Sequence, residues 1–203
     1  MATPRFAGKP APYRGFGPEI IRFVGHTWLR AFGWRIRGDW PTIDKAVLVA
    51  APHTSNWDGF HMLAAAAHYR IKLRWMGKDS LGKGPLGWIA RRAGLVPVDR
   101  SGGKDMVGQA ARAFDDVDTM ILAVAPEGTR SYTAGWKSGF YHIAHTAGVP
   151  VLMSVLDYKT HTITVSGPVE TTGDFESDIA KIRAPYADAM GRRPGGWEPT
   201  EET

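Results

Sequence analysis

A regular alternation of short apolar segments with longer segments of helical pattern constrains this chain more than any other feature. Helical periodicity occurs at 57–69, 85–93, 105–115 and 136–147, and we predict a last helix over 174–190. Apolar runs of strand length lie at 46–50, 73–76, 95–98, 120–124, 151–156 and 162–165. Such alternation is typical of an α/β fold, and 203 residues suit one domain. We therefore predict a single layered α/β domain with a mixed, mostly parallel sheet flanked by helices, whose last two strands pair antiparallel.

Both ends of the chain depart from this pattern. Residues 1–16 are rich in Pro, carry three basic residues and lack a hydrophobic period, which predicts a flexible basic arm. Over 17–34, apolar residues recur on one side of a helix, with charged residues opposite. Such an amphipathic helix either packs on the core of its own domain or lies at a membrane surface, and Trp28 and Trp34 favour the membrane. The segment 191–203, rich in Pro, Gly and Glu, is predicted to be disordered.

The charge of the chain is unevenly distributed. Residues 1–100 carry 16 Lys and Arg against 6 Asp and Glu, whereas residues 101–203 carry 9 against 14, and the formal net charge is +5. A concentrated positive field indicates a negatively charged partner, such as a phosphate group, an acidic carrier or an anionic membrane surface. The sequence shows no nucleic-acid-binding module, and we therefore expect no nucleic-acid partner.

Features that the sequence lacks exclude several kinds of catalytic site and of membrane attachment. The chain has no cysteine, which excludes a cysteine nucleophile and a thiolate metal site, and we expect neither a metal ion nor a bound cofactor. It also has no apolar stretch of 18 residues and no signal-peptide pattern at its start. We therefore expect a cytoplasmic protein that associates peripherally with the inner face of a membrane.

The segment that follows the first predicted strand brings together a histidine and an aspartate. His53 lies just beyond the strand, and Asp58 falls in the first turn of the next helix. A carboxylate at this spacing can orient the imidazole through one ring nitrogen, so that the other removes a proton from a substrate hydroxyl. The pattern from Ser55 to Asp58 equally fits a capping box that supports the helix start. We also expect the backbone amides of residues 55–57 to stabilise an oxyanion.

Polar residues follow two further predicted strands. The strand at 120–124 is followed by the run Glu127, Gly128, Thr129, Arg130 and Ser131, and the strand at 95–98 by Asp99 and Arg100. The hydroxyls of this run and the guanidinium fork of Arg130 can bind a phosphate, although a polar turn explains the run equally well. Because α/β sheets place ligands at the carboxyl ends of their strands, we expect these groups to share one edge.

These motifs resemble the 1-acylglycerol-3-phosphate acyltransferase family of glycerolipid acyltransferases. The spacing of His53 and Asp58 is similar to the family's HxxxxD motif, and residues 127–131 are similar to its EGTRS motif. Residues 94–100 and 148–151 resemble the second and fourth family blocks, so four blocks occur in the family's order. The resemblance identifies 35–190 as the acyltransferase domain.

The resemblance implies transfer of a fatty acyl group from acyl-CoA or acyl carrier protein to the hydroxyl of a lysophospholipid, with 1-acylglycerol-3-phosphate as the expected acceptor. It makes His53 the general base and Asp58 its orienting group, without a covalent acyl-enzyme. The substrate-binding residues would be Arg100, Glu127, Gly128, Thr129, Arg130 and Ser131. Two alternatives stay open, namely a noncatalytic, membrane-associated lipid-binding protein on the same fold and an acyltransferase for another hydroxyl acceptor.

Overall fold

The computed structural model describes residues 16–92, 94–99, 105–132 and 135–193. Arg100, nearly all of the predicted arm and most of the predicted tail therefore lie outside the described residues. The elements in chain order are α1 (Phe16–Ala31), β1 (Arg35–Arg37), β2 (Lys45–Ala51), α2 (Asn56–His68), β3 (Leu73–Lys78), α3 (Gly84–Arg92), β4 (Leu95–Val98), α4 (Met106–Arg112), β5 (Met120–Val124), α5 (Gly139–Ala147), β6 (Val151–Asp157), β7 (Thr162–Val169) and α6 (Phe175–Arg183). Short 3₁₀ turns occupy Asp79–Gly82 and Ala184–Tyr186.

The strands form one sheet in the order β1-β7-β6-β2-β5-β3-β4. Strands β2 to β6 are mutually parallel, whereas β7 runs antiparallel to β6 and parallel to β1. The predicted mixed, mostly parallel sheet is thus confirmed, including the antiparallel last pair. Strand β1 was not predicted, because its three residues, Arg-Ile-Arg, carry no apolar run.

Helices cover both faces of the sheet, and β2 shows why its residues are apolar throughout. Val47 and Val49 point into a core that α4, α5 and α6 complete, while Ala46 and Leu48 point into a second core with α1 and α2. A strand buried on both faces reads as a continuous apolar run rather than as an alternating one. This central position holds the carboxyl end of β2 rigidly.

The last predicted helix is divided in two. Helix α6 ends at Arg183, and a 3₁₀ turn containing Pro185 follows. Proline lacks a backbone N–H and restricts the residue before it, so a continuous helix through this point is unfavourable. The turn brings Tyr186 into the core, where its hydroxyl donates to the carbonyl of Val49 at 2.9 Å.

Helix α1 packs on α2 through a narrow face. A Cβ on Gly25 would lie 2.7 Å from the carbonyl oxygen of Ala64, so the two helices cross closely, and Leu29 is buried beside this contact. Ile21 and Val24 of the predicted stripe face outward, each 60% exposed. Trp28 of the same stripe instead packs against the second core and donates its indole N–H to His61 on α2. Among the described residues, none of the helices has the length and apolar character needed to cross a membrane.

Candidate active site

The predicted site residues converge at the carboxyl edge of the sheet. His53 and Asp58 follow β2, and the run at 127–131 follows its parallel neighbour β5. An open cavity of about 710 Å³ lies at this edge, and its walls include His53, Asp58, Gly128, Thr129 and Arg130.

Asp58 both caps α2 and faces the histidine. Its Oδ2 accepts the backbone N–H groups of Thr54 at 2.6 Å and Ser55 at 2.7 Å, and the Ser55 hydroxyl receives the N–H of Trp57 in return. The same Oδ2 lies 3.5 Å from His53 Nδ1. That distance is long for a hydrogen bond, as is common in catalytic pairs without substrate. The capping box and the orienting pair are therefore one arrangement, and within the described part of the chain no hydrogen bond engages Nε2 of His53.

Electrostatics keep the His53 imidazole neutral. Burial lowers its pKa below the ordinary 6.5, and the nearby Arg130 guanidinium lowers it further, while the Asp58 carboxylate opposes both. Burial is the largest of these effects because a charged imidazole loses hydration there. A neutral imidazole beside the cavity can accept a proton at neutral pH.

The capping box changes one expectation about the helix start. The amides of Ser55 and Trp57, which we expected to stabilise an oxyanion, already donate to Asp58 and to the Ser55 hydroxyl. Backbone donors that are satisfied inside the loop are not free for a substrate oxygen. The expectation was therefore wrong for these two amides.

Glu127 supports the loop that carries the histidine. Its Oε1 accepts the backbone N–H of His53 at 3.0 Å, and its side chain is only 3% exposed. Burial raises the pKa of Glu127 to about 7, and its Oε2 finds no hydrogen-bond partner in the described part of the chain. Glu127 lies behind the loop and is absent from the cavity wall, which differs from the predicted contact with the acceptor.

Some residues of the turn after Glu127 line the cavity and others do not. Gly128, at φ +65°, directs the chain so that Thr129 and Arg130 line the cavity. Ser131 is exposed and donates its backbone N–H to the Thr129 hydroxyl at 3.2 Å, without lining the cavity. Thr129 and Arg130 thus lie where the sequence places them, Ser131 closes the turn, and Arg100 lies outside the described residues.

Two residues at the site carry no signal in the sequence. Lys137 approaches Gly128 so closely that a Cβ there would lie 3.1 Å from its Nζ. Tyr158, one hundred residues after Asp58, donates its hydroxyl to Asp58 Oδ1 at 2.6 Å. Neither belongs to a motif, because both reach the site through tertiary folding.

A second, mainly apolar cavity of about 240 Å³ adjoins the first. The two share wall residues such as Met76 and Val124, and the second extends beneath the turn at 127–131 to Met106, Phe140 and Ile143. A cavity that carries polar groups beside a second, more apolar one suits a substrate with a polar reacting group and an apolar chain.

A histidine paired with a buried carboxylate beside an arginine, at the carboxyl edge of a mostly parallel sheet, is the arrangement of an α/β enzyme that uses acid–base chemistry. The Acyltransferase family model matches residues 22–156 of this chain. The protein belongs to this family and is an O-acyltransferase, which confirms the resemblance seen in the sequence.

Individual relatives agree with the family. The chain is 25% identical over 178 residues to the 1-acyl-sn-glycerol-3-phosphate acyltransferase of Haemophilus influenzae, covering 78% of this chain and 72% of the relative. The fold is similar to the crystal structure of the 1-acyl-sn-glycerophosphate (LPA) acyltransferase PlsC from Thermotoga maritima. That match has a TM-score of 0.57 and 21% identity, and it covers 81% of this chain and 73% of the other.

Proposed function

We propose that this chain transfers a fatty acyl group from a thioester donor, acyl-CoA or acyl carrier protein, to the hydroxyl of a lysophospholipid, with 1-acylglycerol-3-phosphate as the acceptor. The observation that carries the proposal is the contact of His53 Nδ1 with Asp58 on the wall of a cavity that Arg130 also lines. The acceptor is proposed from the names of the relatives, both of which act on 1-acylglycerol phosphate.

The proposed reaction proceeds in a single transfer through His53. Nε2 removes the proton of the acceptor hydroxyl as the oxygen attacks the thioester carbonyl. The tetrahedral intermediate collapses, the carbon–sulfur bond breaks, and the proton on His53 passes to the departing thiolate. Asp58 stabilises the imidazolium that forms between these steps. The chain contains no cysteine, and we propose no covalent acyl-enzyme.

Basic groups beside the cavity would hold the acceptor phosphate. Arg130 lines the cavity, and the exposed Lys137 lies next to Gly128 on the same side of the turn. A guanidinium fork and an ammonium group together match the charge and geometry of a phosphate. Arg100 is proposed as a third member on the resemblance alone. The apolar cavity at Phe140 and Ile143 would take an acyl chain.

We further propose that the protein binds an anionic membrane surface peripherally through α1 and α2. Side chains of both helices expose apolar area on this face, including Ile20, Ile21, Phe23, Val24, Phe60 and Leu63. Exposed apolar patches of this kind mark interaction sites, and an amphipathic helix with basic residues binds anionic lipid. A long-chain acceptor would then reach the active site from the bilayer.

Release of free thiol from acyl-CoA, measured with a lysophospholipid acceptor, tests the catalytic proposal. We expect His53→Ala to abolish the release and His142→Ala, a change in an exposed histidine on α5, to preserve it, with circular dichroism unchanged in both. Wild-type turnover by His53→Ala would exclude this residue as the base.

Two further measurements separate the alternatives. Mass spectrometry of the product formed from a mixed acceptor pool identifies the hydroxyl compound that is acylated. A protein that sediments with anionic vesicles but releases no thiol with any donor would instead be a lipid-binding member of the family.

A further inference from the structure

The carboxylate of Asp58 is held by donors of two different origins. Three come from its own loop, namely the N–H groups of Thr54 and Ser55 and the hydroxyl of Ser55 at 2.9 Å from Oδ1. The fourth, the Tyr158 hydroxyl, comes from the end of β6 and lies 2.6 Å from Oδ1. It is the shortest of the contacts to Oδ1, and a bond to an ionised acceptor of this length is among the strong ones.

We propose that Tyr158 is a positioning residue of the acyl-transfer site, whose hydroxyl fixes the Asp58 carboxylate and limits the charge that it presents to His53. The proposal rests on the proposed role of His53 as the base. It adds a residue that lies outside the four sequence blocks and touches no substrate.

The Tyr158 ring is held independently of the active-site cavity. It packs edge-to-face on Trp34, with ring centroids 4.8 Å apart, and lies against the buried His61. Its backbone N–H donates to the carbonyl of Met190 at 2.9 Å, while the N–H of Met190 donates to Asp157. The Tyr158 ring thus lines a separate pocket with Trp34 and His61, and His53 is not among the walls of that pocket.

The two carboxylate oxygens consequently have separate tasks. Tyr158 and the Ser55 hydroxyl donate to Oδ1, whereas Oδ2 accepts the N–H groups of Thr54 and Ser55 and lies 3.5 Å from His53 Nδ1. A donor on Oδ1 also draws negative charge away from Oδ2, so the pull of Asp58 on the imidazolium is reduced. Tyr158 remains a donor throughout the working pH range, because burial and the Asp58 carboxylate raise the pKa of its hydroxyl.

The charged groups around the pair come from several elements of the described part of the chain. His53 faces Asp58, the Arg130 guanidinium and, through its backbone, Glu127. On the Tyr158 side, Arg192 adds positive potential and is itself held over the Trp57 ring at 5.1 Å, while burial lowers the pKa of the neighbouring His61. A change confined to the Tyr158 hydroxyl leaves all these groups in place.

Tyr158→Phe removes the hydroxyl and keeps the ring packing, and Tyr141→Phe is its matched control. The Tyr141 hydroxyl donates to the buried Asp178 at 2.9 Å, on the opposite side of the sheet. Each variant therefore loses one tyrosine–aspartate hydrogen bond, and both should melt at lower temperature. We expect only Tyr158→Phe to lower kcat about tenfold, the order of one charge-assisted hydrogen bond, with KM nearly unchanged.

The pH profile of kcat/KM distinguishes a positioning role of Tyr158 from a role in packing alone. With the Tyr158 hydroxyl gone, Asp58 presents more charge to His53, so the acid limb of kcat/KM should move to higher pH by about half a unit. Tyr141→Phe should leave that limb in place. Wild-type kcat and an unmoved limb in Tyr158→Phe, or an equal shift in Tyr141→Phe, would overturn the proposal.

A second readout does not need catalysis. The pKa of the His53 imidazole, followed by NMR in wild type and in both variants, should rise in Tyr158→Phe alone. This result would stand even if the protein acylated no lysophospholipid, so a failure of the proposed function remains distinguishable. An unchanged His53 pKa in Tyr158→Phe would show that the hydroxyl does not act through Asp58.

Discussion

Glu127 is expected to contribute to the pH dependence of the stability of this protein, and Glu127→Gln should remove that contribution. Burial raises the pKa of this carboxyl from 4.5 to about 7. Below pH 4.5 the folded and unfolded states both hold the proton. Between pH 4.5 and 7 only the folded state does, so raising the pH favours unfolding, and the full destabilisation is present above pH 7. At about 1.4 kcal/mol per unit of pKa, this destabilisation reaches about 3 kcal/mol.

The glutamine amide keeps an oxygen that can accept the His53 N–H but does not ionise. We therefore expect Glu127→Gln to gain about 2 to 3 kcal/mol more, relative to wild type, at pH 8 than at pH 5. For a domain of this size that gain raises the melting temperature by about 4 to 12 °C. Urea unfolding followed by tryptophan fluorescence at the two pH values measures the difference.

Glu170→Gln, a change in an exposed carboxyl at the end of β7, serves as the control and should show no such difference. All other titrating groups are common to the proteins, so the comparison isolates residue 127. A Glu127→Gln variant whose stability relative to wild type is the same at pH 5 and pH 8 would refute the argument from burial.

Two further predictions concern the base and the first helix. Burial and Arg130 lower the pKa of His53, and a base must be unprotonated to act. We therefore expect kcat/KM to rise with pH along a limb centred below pH 6.5. A steady-state pH profile whose limb lies above pH 6.5 would contradict this. Gly25→Ala should lower the melting temperature by forcing α1 away from α2, an overpacking effect of about 1 to 3 kcal/mol. The control is Gly17→Ala, where a Cβ meets nothing within 4 Å, and this variant should be neutral or stabilising. Equal melting temperatures for the two variants would show that the packing of α1 does not need the close crossing with α2.

Local patterns were sufficient to predict much of the fold. Strands such as β2 and β5 follow from apolar runs, because strands buried on both faces need no polar residues. Strand β1 could not be found in this way, since its charged residues form a strand only through pairing with β7. The outward face of α1 was also beyond local reasoning, because the small Gly25 brings α1 close to α2, and Trp28 of the apolar stripe contacts α2 while Ile21 and Val24 do not become buried.

The same distinction between local pattern and tertiary folding holds for the candidate active site. His53, Asp58 and Arg130 were predicted because their geometry is set by a few neighbouring residues after a strand end. The burial of Glu127 and the approach of Tyr158 depend on distant parts of the chain, and a charged or phenolic residue in a loop carries no local sign of either. Motif spacing therefore locates the reacting groups, while the residues that adjust them are found only in three dimensions.

The pairing of β1 with β7 at one edge of the sheet joins strands that are far apart in the order of synthesis. Arg35 aligns with Thr162, and at translation rates of about 5 to 20 residues per second the ribosome adds β7 on the order of ten seconds after β1. Until then α1 and α2 can associate, but β1 has no strand beside it and Trp34 lacks the Ile163 side of its core. The strand that follows helix α1 is consequently paired only after β7 has been synthesised, although α1 itself can already pack on α2.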